Sequence, residues 1–225
     1  MAAKRRAEMV EETRAKLIQA ARRAFAAQGY AAASMDELTA EVGLTRGALY
    51  HNFGDKKGLL QAVIDQIDAE MGLRLRAAAE QAENAWVGFL DANITYIEMA
   101  LEPEIQRIML LDGPAVLGDP SQWPNQTACL RTTTQTIQAL IDEGMVKAVD
   151  AEAAARLLNG AALNASLWIA ASEDPHAVFA KAVEAFRCLA TGLLRGEKKN
   201  AGPCREREGG SDSGTKPTFS PGDEP

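Results

Sequence analysis

The sequence predicts an all-α protein of about nine helices. Hydrophobic residues make up 47% of the 225 residues but aromatic residues only 5%, because alanine is used so heavily. Long alanine-rich segments carry their larger apolar residues at helical spacing, and no alternating Val/Ile/Thr runs suggest a sheet. The length also allows one or two domains with a sizeable core.

The charge is unevenly distributed along the chain. The net charge is −7, which by itself argues against a polyanionic partner. Residues 1–58, however, hold ten Lys/Arg against seven Asp/Glu, a net of +3, so the remaining 167 residues carry −10. Only the first segment is suited to binding phosphates.

Cysteine usage and hydropathy indicate the cellular compartment and disfavour disulfide-rich, zinc-binding and membrane-spanning proteins. The three cysteines, at 129, 188 and 204, are odd in number and have no CxxC spacing, which indicates neither a disulfide framework nor a zinc site. No metal or other cofactor is therefore predicted. No signal-like segment opens the chain, and the apolar run at 157–171 is too short and too interrupted by asparagine to span a bilayer. A reducing cytoplasm is the expected location, with no membrane partner.

The first predicted elements are an arm and a helix. Residues 1–10, with adjacent Lys4, Arg5 and Arg6, lack periodicity and are predicted to be a flexible basic arm. From about residue 11, apolar residues recur at helical spacing until Gly29 supplies a stop signal.

Two short helices with strong start signals follow. Ser34 opens a Ser-x-x-Glu capping box, and Gly43 ends the short helix that it starts. Thr45 caps a third helix that places Leu49 and Phe53 one turn apart on one face. Two short helices joined by a glycine-containing turn predict a helix-turn-helix, here within residues 11–58.

The remaining chain is predicted to form a larger helical domain, residues 59–196. Asp55 caps a long helix from Lys56 to the early eighties, which joins the two regions. Further helices are predicted at 84–101, 104–111, 125–144, 151–172 and 175–196, with a Gly/Pro-rich loop at 112–124. The composition of residues 197–225 predicts a disordered tail.

The stretch SMDELTAEVGLTRGALYHNFGDKKGLL, residues 34–60, resembles the DNA-binding domain of the TetR family of transcriptional repressors. The resemblance covers roughly residues 11–65 and depends on the capped second helix, the Val-Gly-Leu turn and the Leu-Tyr-x-x-Phe ending. It implies a homodimer on a pseudo-palindromic double-stranded operator, with a helical domain for a small-molecule effector. It also implies association with the nucleoid.

The outward face of the third helix is the candidate recognition surface. Arg46 can bond the O6 and N7 of guanine or clamp a phosphate, and Gly47 and Ala48 let the helix approach the groove closely. The hydroxyl of Tyr50 and the ring of His51 suit phosphate oxygens. The predicted DNA-binding residues are Ser34, Thr45, Arg46, Gly47, Ala48, Tyr50, His51 and Lys56.

Some of these residues have a structural alternative. Lys56, a cation at a helix N-terminus, opposes the helix dipole unless an anion is present, and a DNA phosphate would supply one; a solvated lysine is the alternative. Tyr50 can instead serve the core, and Ser34 can be a purely structural cap. Arg5 and Arg6 suit a minor groove or a solvated arm.

Symmetric binding to two half-sites requires a dimer interface. Close-packing small residues at 151–171 and an apolar stripe on the last helix predict a four-helix interface across a two-fold axis. The alternative is that both stripes only close the core of the monomer. The predicted interface residues are Leu158, Ala162, Ala165, Val178, Phe179, Val183, Phe186 and Leu189.

The middle helices resemble the effector chamber of the family, with aromatic and apolar residues and a few polar tips. Core packing is the alternative for each of them. The candidate ligand-binding residues are Trp86, Phe89, Asn93, Tyr96, Met109 and Trp123.

The prediction that follows is a homodimeric, sequence-specific DNA-binding regulator, a repressor released from its operator by an effector. An enzyme is disfavoured because the two histidines, His51 and His176, lie far apart and no HExxH, GxSxG or phosphate-loop motif is present. The competing hypothesis is a helical sensor or adaptor that acts through protein partners without specific DNA binding.

Overall fold

The structure is a computed structural model and describes residues 2–196. Those residues form nine helices, and their one strand-like contact is an isolated antiparallel bridge between Val146 and Leu194. The predicted all-α class is confirmed. The helices α1 to α9 span Ala2–Ala32, Met35–Glu41, Arg46–Phe53, Lys56–Glu80, Ala85–Met99, 103–117, Pro124–Asp142, Ala151–Ala170 and Pro175–Thr191. The predicted tail at 197–225, with Cys204, lies outside the described residues.

The first helix differs from its prediction at the N-terminal end. α1 begins at Ala2, so residues 2–10 are helical and the prediction of a flexible arm there is wrong. This segment is rich in Ala, Lys, Arg and Glu, which are strong helix formers, and it extends a helix that is packed further along. Met9 and Val10 are exposed, so the extension has no buried face and no hydrophobic period to detect. Near the other end, Gly29 has φ 82°, and this left-handed backbone kinks the helix.

The helix-turn-helix forms as its caps predict. The Ser34 hydroxyl accepts a hydrogen bond from the Glu37 amide, and Thr45 starts α3 in the same way. Gly43, with φ 66°, makes the turn between α2 and α3. Leu49 is fully buried and Phe53 packs against the same core, so one face of α3 points inward.

The long helix α4 continues from the helix-turn-helix into the rest of the protein. It is 25 residues long and starts at the Asp55 cap, whose side chain accepts from the Gly58 amide. The predicted domain boundary at 58/59 falls inside its first turn. α4 packs mainly against α5, and α8 lies against α5, α7 and α9, so α5 to α9 surround the C-terminal part of the core. No helix in the described part of the chain is long and apolar enough to cross a membrane.

The segment after α5 is more helical than its composition suggests. α6 consists of Pro103–Ile105, a π-helical segment Gln106–Asp112 and Gly113–Leu117. The predicted loop at 112–124 is therefore partly helical, and a 3-10 turn at Pro120–Gln122 follows α6. Pro114 follows the π-helical segment inside α6, and Gly118 ends α6 with φ 89°. Pro120 and Pro124 open the 3-10 turn and α7, where proline is tolerated because its missing N–H would have no partner.

Candidate nucleic-acid interface

The outward face of α3 is the candidate recognition surface in the structure as well. Burial of Leu49 orients the helix, and Arg46, Gly47, Tyr50 and His51 are all exposed on its other side. Tyr50 is 44% exposed to solvent, so it is not a core residue, which was the alternative. The side chains of Arg46, Tyr50 and His51 are therefore free of the core, whereas Ser34, Ala48 and Lys56 are half-buried.

Arg46 is the best-placed cation of this face. Its guanidinium lies 3.4 Å from the Asp36 carboxylate and donates a hydrogen bond of 3.3 Å to the Tyr50 hydroxyl. The bond to Tyr50, together with the charge of Asp36, raises the pKa of Arg46. Both contacts are long and exposed, and they are worth little in water. A guanine edge or a phosphate can therefore replace them at small cost.

The two capping hydroxyls remain able to contact DNA. The Ser34 Oγ accepts from the Glu37 amide at 3.4 Å, and the Thr45 Oγ1 accepts from the Ala48 amide at 3.2 Å. A hydroxyl that accepts one hydrogen bond still carries its own proton as a donor. The structural role and a phosphate contact are thus compatible at both positions.

Lys56 has intramolecular partners that its sequence context did not reveal. Its Nζ lies 3.3 Å from the carbonyl oxygen of Ala31 and 4.6 Å from the centre of the Tyr30 ring. Burial lowers the pKa of Lys56, and the charge of Asp112 opposes this effect. A cation at this helix N-terminus was inferred to need a nearby anion. The Ala31 carbonyl and the Tyr30 ring supply the required negative potential within the protein. Contact with a phosphate therefore requires the ammonium to leave these partners, whereas the adjacent Lys57 is exposed.

Among the described residues, no close contact requires glycine at position 47. A Cβ built there meets only the Thr45 Oγ1, at 3.7 Å, which is ordinary van der Waals contact. Glycine inside a helix costs roughly 0.5 to 1 kcal/mol relative to alanine. A missing side chain on the exposed face is explained if another surface must approach the backbone closely.

We therefore expect Gly47→Ala to leave the fold intact or to raise the free energy of unfolding by up to about 1 kcal/mol, while weakening DNA binding about tenfold. Chemical denaturation and fluorescence anisotropy with operator DNA measure the two effects. Gly72→Ala is the control, since its Cβ meets only the flexible end of Arg76 and the residue lies sixteen positions after the start of α4. DNA affinity equal to that of the control would show that the groove does not approach Gly47.

The prediction missed a close contact that positions the recognition helix. A Cβ on Gly58, in the first turn of α4, would lie 2.0 Å from the carbonyl oxygen of Phe53 at the end of α3. The two backbones thus meet with no room for a side chain. The only sequence signal was a glycine within the first turn of a predicted helix, where alanine would otherwise be preferred.

A cavity lies between α4, α5, α6, α7 and α8, and it holds only part of the predicted effector site. Of the predicted residues, Tyr96, Met109 and Trp123 line it, and Asp68, Gln126 and Ser166 line it without having been predicted. Its volume is about 20 Å³, which is room for roughly one water molecule.

Two of the predicted ligand-binding residues pack in the core, and a third, Asn93, is half-buried outside the cavity lining. Trp86 and Phe89 are buried, and their ring centroids are 5.7 Å apart. Asn93 donates from its Nδ2 to the Phe89 carbonyl at 2.8 Å, so its amide is occupied locally. For Trp86 and Phe89 the alternative of core packing describes the structure, because helical periodicity does not tell a cavity wall from a packed core.

Ion pairs and a capping carboxylate connect α1 to the helices around the cavity. The Arg22 guanidinium bonds both oxygens of Glu104, at 2.7 and 2.8 Å, and Glu70 at 2.7 Å. Asp112, at the end of the π-helical segment, accepts from the Tyr30 amide at 2.7 Å and from Arg107 at 3.3 Å. The DNA-binding region and the cavity region are therefore joined by polar contacts as well as by α4.

The predicted dimer interface mixes two faces of α8 and α9. Five of its residues are buried within the subunit and cannot be the surface that meets a partner: Leu158, Ala162, Ala165, Val178 and Phe186. Phe179 and Val183 are partly buried against the same core, and Leu189 is 63% exposed. The hydrophobic stripe selected from the sequence is mainly the inward one, because the small residues there pack the subunit's own helices. On the outer faces, Leu157 and Trp168 are exposed large hydrophobic residues.

Comparison with known proteins agrees with a helix-turn-helix region followed by a helical domain. Residues 17–63 match the family model for bacterial regulatory proteins of the tetR family, and residues 86–193 match the tetracyclin repressor-like C-terminal domain. A TetR-family transcriptional regulator of Pectobacterium atrosepticum, known as a crystal structure, is 50% identical with a TM-score of 0.77, over 83% of this chain and 96% of that one.

Two curated regulators each match a little under half of the chain. The transcriptional regulator TtgR of Pseudomonas putida is 32% identical over 107 residues, 47% of this chain and 51% of that protein. The transcriptional repressor AcnR of Corynebacterium glutamicum is 33% identical over 104 residues, 44% and 52% of the two chains. The matched segments thus span about half the length of these relatives.

A helix-turn-helix with an exposed third helix, followed by a helical domain around a cavity, defines a DNA-binding transcriptional regulator. The chain belongs to the TetR family of transcriptional regulators. The relatives regulate transcription, and the family is not one of enzymes.

Proposed function

We propose that the protein is a homodimeric repressor that binds a pseudo-palindromic operator and is released from it by a small-molecule effector. The observation that carries this proposal is the exposed face of α3, where Arg46, Tyr50 and His51 surround the bare backbone of Gly47. A major groove about 12 Å wide admits one helix presented in this way. The name of AcnR as a repressor supports repression as the direction of control.

The outer faces of α8 and α9 support a dimer. Leu157 is 75% exposed and Trp168 51% exposed, and their separation of eleven residues puts them on one side of α8. Leu189 adds an exposed leucine on α9. Burial of these exposed hydrophobic side chains against a second copy of the chain would stabilise a dimer. Two copies would present their α3 helices to half-sites about 34 to 36 Å apart.

Release by an effector is supported by the connection between the cavity and α1. Met109 lines the cavity from the π-helical segment of α6, and Asp112 at the end of that segment holds the amide of Tyr30. A ligand that favours a conformation with a different α3 spacing must lower DNA affinity by linkage, with a coupling typically of 1 to 3 kcal/mol. α6 and α4 are the elements through which that coupling would act.

The proposal is tested by mapping the bound genomic fragments and then measuring the affinity of one operator fragment by anisotropy. We expect Arg46→Ala to weaken operator binding by at least tenfold, since each bidentate base contact is worth about 1 to 3 kcal/mol and the dimer has two copies. The double variant with Tyr50→Phe is expected to lose specific binding. Because both side chains are exposed, thermal stability should stay nearly unchanged.

Arg131→Ala is the matched control, an exposed arginine on α7. It should bind the operator like the parent protein, and sedimentation should give a dimer for every variant. Unaltered affinity of the double variant would reject the assignment of α3. Failure of the parent protein to enrich any genomic fragment would favour an adaptor that acts through protein partners.

A further inference from the structure

The cavity described above contains one charged side chain, and that side chain has no partner of opposite charge. Asp68, on α4, is the only charged residue in the lining, and the lining includes no Lys, Arg or His. Among the side chains that the structure describes, which leave out those of residues 2–4, 6, 7 and 125, none forms a hydrogen bond or an ion pair with its carboxylate. Most other part-buried carboxylates on this side of the protein are paired, as Glu104 is with Arg22.

The surroundings disfavour the charge of Asp68. Burial raises the pKa of the Asp68 carboxyl, and the charge of Asp65, on the same helix, adds to that effect. A half-buried carboxylate without compensation costs free energy that a cation can recover. Because the lining supplies no such cation, a ligand is the available source.

Two aromatic rings line the same cavity. The indole N–H of Trp123 donates to the Gly118 carbonyl at 3.2 Å, so its hydrogen bond is already satisfied and its ring remains for stacking. Tyr96 lines the cavity together with Asp68; burial raises the pKa of Tyr96, and the charges of Cys129 and Asp68 add to that effect. Aromatic faces attract cations, and Trp and Tyr are the strongest in this respect.

We propose that the cavity binds an organic cation, a protonated amine on a compact apolar or aromatic body. The ammonium pairs with Asp68, and the body packs against Tyr96, Trp123 and Met109. This inference rests on the proposed function in taking the cavity as the effector site. At about 20 Å³ the cavity must enlarge to admit such a ligand, and Trp123 lies in the short connection between α6 and α7 that borders it. Displacement of this ring should change tryptophan fluorescence.

The test uses three probes that share one phenyl ring and differ in charge: 2-phenylethylammonium, 2-phenylethanol and phenylacetate. Calorimetry and tryptophan fluorescence at neutral pH measure their binding to the full-length, DNA-free protein. We expect the ammonium to bind most tightly. In Asp68→Asn its affinity should fall at least tenfold, while that of the alcohol stays the same or improves.

Asp65→Asn is the matched control, because Asp65 is an exposed carboxylate on α4 that bonds Gln61 at 2.9 Å and does not line the cavity. It should leave the order of the three probes unchanged and alter the affinity of the ammonium far less than Asp68→Asn does. Binding of the alcohol or the acid at least as tightly as the ammonium overturns the inference. So does an Asp68→Asn variant that binds the ammonium like the parent protein, or a failure of all three probes to bind.

Operator binding in the presence of each probe separates this inference from the proposed function. Binding of the ammonium at Asp68 without any loss of operator affinity would contradict release by an effector and leave the cation site standing. Release of the operator by the alcohol or the acid alone would support an effector mechanism and overturn the cation site.

Discussion

Gly58→Ala is expected to abolish specific DNA binding. The added Cβ would lie 2.0 Å from the Phe53 carbonyl oxygen, a backbone atom that cannot rotate away. The end of α3 must therefore move away from α4, and Arg46 and Tyr50 move with it. Overpacking of this kind costs typically 1 to 3 kcal/mol of stability, and a misplacement near 1 Å is enough to lose base contacts. Anisotropy with operator DNA and chemical denaturation measure both effects.

Gly72→Ala is the control for this experiment, since it makes the same substitution on the same helix where only the flexible end of Arg76 lies within 4 Å. It should retain operator affinity and gain up to about 1 kcal/mol from helix propensity. Probe binding in the cavity should be similar in both variants. Normal operator affinity of Gly58→Ala would mean that the spacing of α3 and α4 is not what positions the recognition face.

Arg22→Met is expected to lower the free energy of unfolding by about 2 kcal/mol. Arg22 is a mostly buried cation, with 18% of its side chain exposed, and it bonds Glu104 and Glu70 at once. Methionine retains much of the packing but leaves two carboxylates without their partner. The partial exposure of both glutamates, 34% and 47%, keeps the loss below that of a fully buried pair. Urea denaturation at neutral pH measures the difference.

The effect of this substitution should depend on pH. The hydrogen bond from Arg22 lowers the pKa of Glu70. A carboxyl whose pKa is lower in the folded state contributes stability above its unfolded pKa, about 4.3 for glutamate, and loses that contribution as the pH falls through the folded value. The difference in stability between the parent protein and Arg22→Met should therefore shrink below about pH 4.3.

Arg23→Met is the matched control, since Arg23 is 60% exposed and pairs with an exposed Glu41 on α2. Its loss should stay below about 1 kcal/mol. Because Arg22 joins α1 to α4 and α6, its replacement should also reduce any effect of a cavity ligand on operator binding. Equal losses in the two variants would show that the Arg22 network is no stronger than an ordinary surface pair.

Local signals predicted the helix-turn-helix accurately. The caps at Ser34, Thr45 and Asp55 act within three residues, so their side chains and the amides they hold are fixed by the sequence alone. The burial of Leu49 follows from the period of the helix and the need to cover an apolar face. These features need no information about distant parts of the chain.

Structural features that depend on contacts between distant parts of the chain were predicted less well. Both faces of α8 carry apolar residues, and which face is buried depends on where α5, α7 and α9 lie against it, which the sequence does not state. The same reason separates Tyr96, which lines the cavity, from Phe89, which packs in the core seven residues earlier on α5. Asp68 reads as a surface aspartate on an amphipathic helix until the helices around it are placed.

The helical class, the order of the helices and the outward face of the recognition helix could all be predicted from the residues, because each depends on contacts within a few positions. The folded arrangement was needed to show that Lys56 contacts Tyr30, that Gly58 admits no side chain beside Phe53, and that Asp68 borders a cavity whose lining holds no counter-ion. Each of these facts is a distance between separate elements. Such distances arise from the packing of all nine helices in residues 2–196 at once.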